Sequence, residues 1–190
     1  MHKDGYTGIS IDHIKVGYGQ EIIIKDMSLK VPAGKITTII GPNGCGKSTL
    51  LKTIGRFIPK QHGNVIIEGK DVATYETKEL AKKMAILPQS PISPEGITVE
   101  ELIAYGRFPH QKGFGRLKES DGKIVNWAMQ ITNLSDIRDK KVDSLSGGQR
   151  QRVWIALALA QQTPFILLDE PTTYLDMAYQ LEVLELVEHL

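Results

Sequence analysis

The segment Gly41-Pro42-Asn43-Gly44-Cys45-Gly46-Lys47-Ser48 constrains this chain more than any other. It fits the pattern G-x-x-x-x-G-K-[ST], and its flanks suit that pattern. Residues 36–40 (ITTII) form a short β-branched run, which predicts a strand buried on both faces, as in parallel sheets. Residues 47–57 predict a helix. Glycines let successive backbone N–H groups curl around an anion without Cβ clashes. The helix start adds N–H groups that lack intrahelical partners, and a favourable dipole. Lys47 would then reach the outer phosphates of a nucleotide, and the Ser48 hydroxyl would ligate Mg²⁺. The alternative is a strand–turn–helix corner whose glycines serve only the turn. Such a corner has no use for a Lys-Ser pair.

The 190 residues suffice for one ordinary domain. At 41% hydrophobic and 24% charged they have the balance of a globular protein rather than a disordered one. No apolar run approaches the ~18 residues of a membrane span. Met1-His2-Lys3-Asp4-Gly5 lacks an apolar leader, so no secretory signal is expected. A single cysteine makes no internal disulfide, and a net charge of +1 gives no electrostatic case for nucleic acid as a partner. Strands are expected at residues 10–16, 22–24, 27–31, 65–67, 85–87 and 165–168, with a turn at Pro32-Ala33-Gly34. Helices are expected at residues 77–84, 99–105, 118–132, 146–160 and 177–190. Residues 90–141, broken by prolines and glycines, read as a mostly helical insert within an α/β domain whose core sheet is largely parallel.

Two further sites carry chemistry. Phe165-Ile166-Leu167-Leu168-Asp169-Glu170 is an apolar strand ending in two carboxylates. Ligand sites of parallel sheets lie beyond the carboxyl ends of the strands. Asp169 would there hold Mg²⁺ through water, and Glu170 would polarise an attacking water. The alternative is a solvated acidic strand end. Leu145-Ser146-Gly147-Gly148-Gln149 opens a second glycine-led helix, with Ser146 as its N-cap. Its free N–H groups make a second anion site. A capped helix and nothing more is the plainer reading.

With these three strings in this order, the chain resembles the nucleotide-binding subunits of ABC transporters over essentially its whole length. Residues 41–48 look like the Walker A motif, LSGGQ (145–149) like the family signature, and ILLDE (166–170) like Walker B with its catalytic Glu170. The resemblance implies a P-loop NTPase fold: a RecA-like parallel core, an N-terminal antiparallel β-subdomain and a helical insert. It divides the chain into core and β-subdomain (1–89 and 142–190) and helical subdomain (90–141). It implies ATP and Mg²⁺ held by Tyr18, Gly41, Pro42, Asn43, Gly44, Cys45, Gly46, Lys47, Ser48, Thr49, Ser146, Gly147, Gly148, Gln149 and Asp169, with Ser48, Gln89 and Asp169 around the metal. Tyr18 would stack on adenine; a core tyrosine is the alternative. Gln89 resembles the glutamine that contacts Mg²⁺ and senses the membrane partner; an ordinary surface glutamine is the alternative. Leu175-Asp176 resembles the D-loop, although Asp176 also suits an N-cap.

Partners follow from the same resemblance. A second copy would close head to tail, each ATP lying between one chain's Walker A and the other's LSGGQ. Transmembrane permease subunits would seat the pair at the cytoplasmic face of a prokaryotic plasma membrane, and a substrate-binding protein would act indirectly. The strings Gly106-Arg107-Phe108-Pro109-His110-Gln111 and Pro171-Thr172-Thr173-Tyr174-Leu175-Asp176 look like the subgroup that imports ferric siderophores, haem or cobalamin. The rival is a soluble ABC-type ATPase not coupled to transport; a small P-loop kinase would leave LSGGQ unexplained. Cys45 departs from the family, which more often has Ser or Ala there. The family also carries a switch histidine beyond position 190, so the C-terminal part of the domain is expected to be missing and hydrolysis by these residues alone to be impaired. His189 reads as a surface histidine on an amphipathic helix.

Overall fold

The computed structural model describes residues 8–111, 117–171 and 180. They form two compact units, Met1–Leu80 and Ala81–Leu190. The regions expected to carry the D-loop and His189 lie outside the described residues.

The first unit is an antiparallel sheet with a helix on it. Strands β1 (Gly8–Tyr18) and β2 (Glu21–Pro32) pair as a hairpin; β3 (His62–Ile67) lies on the other side of β1, followed by β4 (Lys70–Asp71), in the order β2-β1-β3-β4. β1 buries Ile9 and Ile11, then Ile14 and Val16, so the buried positions change from odd to even. A bulge between Ile11 and Ile14, with His13 at φ 46°, absorbs the extra residue and keeps all four on one face. The two short strands expected within residues 22–31 are one continuous strand, β2. Helix α1 (Lys47–Ile54) packs on β1 and β2 and buries Leu50 and Ile54, each worth about 1.5–3 kcal/mol. It stops before residue 57: Arg56 turns left-handed at φ 62° and its guanidinium donates to Val72 O, Tyr75 O and Thr77 Oγ1.

Residues 36–40 are not the buried strand that their composition suggests. They carry no strand, and Ile40 is 90% exposed. β-branched residues fit a pleated surface, but a strand also needs a ladder, and no described strand pairs with this run.

In the second unit, β5 (Met84–Leu87) and β6 (Phe165–Leu168) pair in parallel, from Met84↔Phe165 to Leu87↔Leu168. Helix α2 (Thr77–Ala81), whose residues up to Leu80 belong to the first unit, is shorter than expected because Met84 already belongs to β5. β6 is half-buried; it pairs with β5 alone among the described strands. Helices α3 (Val99–Ala104), α4 (Glu119–Ile131) and α5 (Gly147–Ala160) share one core built on Val99, Leu102, Val125, Met129, Val153 and Ala156. Arg107 and Asp121 form an ion pair inside this unit, Nε to Oδ1 at 2.9 Å. Burial alone would raise the Asp121 carboxyl, but the hydrogen bond from Arg107 and that from the Lys118 N–H outweigh it and hold it below its ordinary value. The pair's contribution is therefore present above the ordinary aspartate value of 3.8 and is lost as pH falls through the lower folded value. Asp121→Asn is expected to cost about 3–5 kcal/mol at neutral pH, because it strands a buried guanidinium. Melting curves from neutral pH downward should show wild type converging on the variant at low pH; a constant gap would contradict the assignment.

Candidate nucleotide site

The glycine-rich loop leads into α1 through two left-handed glycines, Gly44 at φ 80° and Gly46 at φ 99°. Gly46 is the N-cap of α1 and makes no side-chain cap. A Cβ at Gly46 would lie 3.2 Å from Ile23 Cγ2, so the loop runs close to β2. The Cys45 N–H donates to Pro42 O at 3.3 Å and tightens the turn. Lys47 Nζ folds back and donates to the carbonyls of Gly41 and Pro42 at 2.9 and 3.0 Å. The ammonium thus sits over the loop that it would serve. Ser48 follows it half-buried, and Thr49 is buried beneath the helix. Tyr18 closes β1 and is 51% exposed, so it is not a core tyrosine.

The second unit carries the other expected residues. Asp169 continues the parallel ladder past β6, its N–H donating to Leu87 O at 3.0 Å, and the residue is only 4% exposed. Glu170 next to it is held left-handed at φ 51°. Non-glycine residues in that conformation cost of order 1–3 kcal/mol and cluster at functional sites. Its carboxylate accepts a 2.7 Å hydrogen bond from Gln89 Nε2, beyond the end of β5. Two residues far apart in sequence therefore meet at the carboxyl ends of adjacent parallel strands. Gln89 is exposed, yet it is not an idle surface side chain.

At α5, Ser146 and Gln149 cap one another: the Gln149 N–H donates to Ser146 Oγ at 3.3 Å and the Ser146 N–H to Gln149 Oε1 at 3.2 Å. The box is electrically neutral. α3 has the charged counterpart, Thr98 with Glu101, and Glu100 beside it. α2 and α4 also carry acids in their first turns; α1 and α5 carry none. Among the described α-helices, the two starts free of acidic side chains are the two that the sequence marks for phosphate. Such a start leaves its positive end for an external anion. In the first unit, glycines, ammonium and hydroxyl suit the phosphates of a nucleotide chemically, and in the second the buried Asp169 carboxylate is of the type that suits Mg²⁺. Among the described residues no His/Cys/Asp/Glu cluster suggests any other metal. Sequence reasoning missed the buried Arg107–Asp121 pair, because nothing local marks two opposite charges separated by a proline-broken segment.

Residues 24–173 match the family model described as ABC transporter. The chain is 54% identical over 184 residues to the iron(3+)-hydroxamate import ATP-binding protein FhuC of Bacillus subtilis (strain 168), covering 97% of this chain and 68% of that protein. It is 46% identical over 179 residues to the ferric enterobactin transport ATP-binding protein FepC of Escherichia coli (strain K12), covering 94% and 66%. The fold matches a solved nucleotide-free ATP-binding cassette from an ABC transporter with a TM-score of 0.85 at 27% identity, covering 96% of this chain and 76% of that one. The chain spans about two thirds of the length of the curated relatives it matches.

Gly46→Ala tests the local geometry. A side chain at φ 99° beside Ile23 should cost about 1–2 kcal/mol in chemical denaturation. Unchanged stability would contradict the left-handed N-cap.

Proposed function

The chain belongs to the ABC transporter family, and from that premise we propose that it is the ATP-binding and ATP-hydrolysing subunit of a prokaryotic importer for a ferric siderophore or another iron complex. The observation that carries the catalytic part is the Gln89–Glu170 hydrogen bond at a left-handed residue next to a buried aspartate. The cargo is supported by the relatives' names, which are those of iron(3+)-hydroxamate, ferric enterobactin and petrobactin systems. No helix among the described residues is long and apolar enough to cross a membrane. Transport would run through permease subunits, with this chain peripheral to them at the cytoplasmic face.

Tyr18 would receive the adenine; base–aromatic stacking is worth about 1–3 kcal/mol. The N–H groups of residues 43–49 and the Lys47 ammonium would hold the phosphates. Reaching them requires Lys47 to leave the carbonyls of Gly41 and Pro42, an exchange of weak neutral acceptors for charged ones. Ser48, Asp169 and Gln89 would surround Mg²⁺, which when bound neutralises phosphate charge. Glu170 would orient the attacking water and accept its proton, once Gln89 releases or shares the carboxylate. The neutral first turn of α5 would meet the phosphates bound by a second copy of the chain.

Lys47→Ala should lose ATP binding in calorimetry, and Glu170→Gln should keep binding while losing hydrolysis. Stoichiometric binding by the Lys47 variant, or unchanged turnover by the Glu170 variant, would overturn the assignment.

A further inference from the structure

The helix that starts with the signature is gripped at its other end. Residues 105–110 follow α3 as a 3₁₀ segment, and three of them reach the last turn of α5. Gly106 is buried; a Cβ there would lie 2.4 Å from Leu157 O and 3.1 Å from the Ala160 Cβ, so only glycine lets the segment come this near. Arg107, 5% exposed, donates from Nη1 to Ala160 O at 2.7 Å and from Nε to Asp121 Oδ1 in α4 at 2.9 Å. His110 Nε2 lies 2.8 Å from Gln161 O. Gln161 Nε2 in turn donates to the carbonyls of Ala81 and Met84, at the entry to β5. The last carbonyls of a helix lack intrahelical partners and carry the negative end of its dipole, so a guanidinium there is doubly matched. Its forked donors serve a carboxylate and a carbonyl at once, which a lysine ammonium on a flexible stem does not reproduce.

We propose that Arg107, with Gly106 and His110, is a positioning residue for nucleotide turnover: it pins the C-terminal turn of α5 to α4, beside the tie that Gln161 makes from the same turn to the start of β5, and so fixes the direction in which residues 146–149 are presented. α5 has 14 residues and is therefore about 21 Å long, so a tilt allowed at the pinned end is carried to the signature turn as a displacement. β5 leads at its far end to Gln89, and its partner β6 to Glu170, so one clamp references the signature helix and the catalytic carboxylate to the same strand. The inference rests on the function proposed above, since the signature turn matters only if it meets a nucleotide.

The test uses the full-length protein with Arg107→Lys, with His110→Ala as the milder variant should Arg107→Lys fail to fold. Leu134→Ala, which removes buried volume from the same core without touching the clamp, is the stability control. Hydrogen exchange is read at the amides of residues 147–150, beside ATP affinity, ATP-driven dimerisation, KM and kcat. The clamp variants should exchange faster at these amides, bind ATP as wild type does, dimerise less, and lose about ten- to a hundredfold in kcat with little change in KM. His110→Ala should show the same pattern to a smaller extent. Wild-type exchange and kcat in the clamp variants would overturn the proposal. So would an equal loss of kcat in Leu134→Ala at the same melting temperature, which would mean general loosening. Failure of the wild-type protein to bind ATP would overturn the proposed function instead; the exchange comparison needs no nucleotide and would still decide whether the clamp holds the first turn of α5.

Discussion

Every helix begins with backbone N–H groups that its own hydrogen bonding leaves unmet, and the chemistry proposed for this chain depends on how that deficit is handled. α2, α3 and α4 carry acidic residues in the first turn, so their positive ends are neutralised from within. α1 and α5 are not neutralised in this way. One starts on a left-handed glycine without a side-chain cap; the other is capped by serine and glutamine, which satisfy two N–H groups without adding charge. In the proposed function a bound phosphate would complete these helices; the Lys47 ammonium rests on the carbonyls of Gly41 and Pro42. The cost of leaving the termini open falls on the packed ends. α1 is anchored by Leu50 and Ile54, and α5 by Val153, Ala156 and the Arg107 clamp.

The carboxylate half follows another rule. A parallel pair of strands brings residues distant in sequence to the same end, which is how Gln89 and Glu170 come within 2.7 Å. Glu170 remains left-handed although it is not glycine, a strain of the kind that clusters at functional sites. Asp169 before it is buried, while Gln89 stays exposed.

Much of this was legible in the sequence, since the information is local. The loop glycines, the Ser146 cap and the strand Phe165–Leu168 each follow from spacing within a few residues. Three features were not. Residues 36–40 have strand composition, but pairing is a property of the partner as much as of the run. The bulge at His13 hides in a pattern that looks like simple alternation, because a bulge swaps the parity of the buried positions. The Arg107–Asp121 pair joins a segment after α3 to α4 and to the end of α5, and only the packed core brings these together.

In the proposed function one nucleotide is completed by two copies of the chain, Walker A from one and the signature from the other. Mixing two variants tests it most directly: Lys47→Ala, with its signature intact, and Ser146→Arg, with its Walker A intact. Each alone should be inactive. ATPase activity should return on mixing, because a mixed dimer contains one composite site with both halves whole. No recovery, with mixed dimers shown to form, would contradict it.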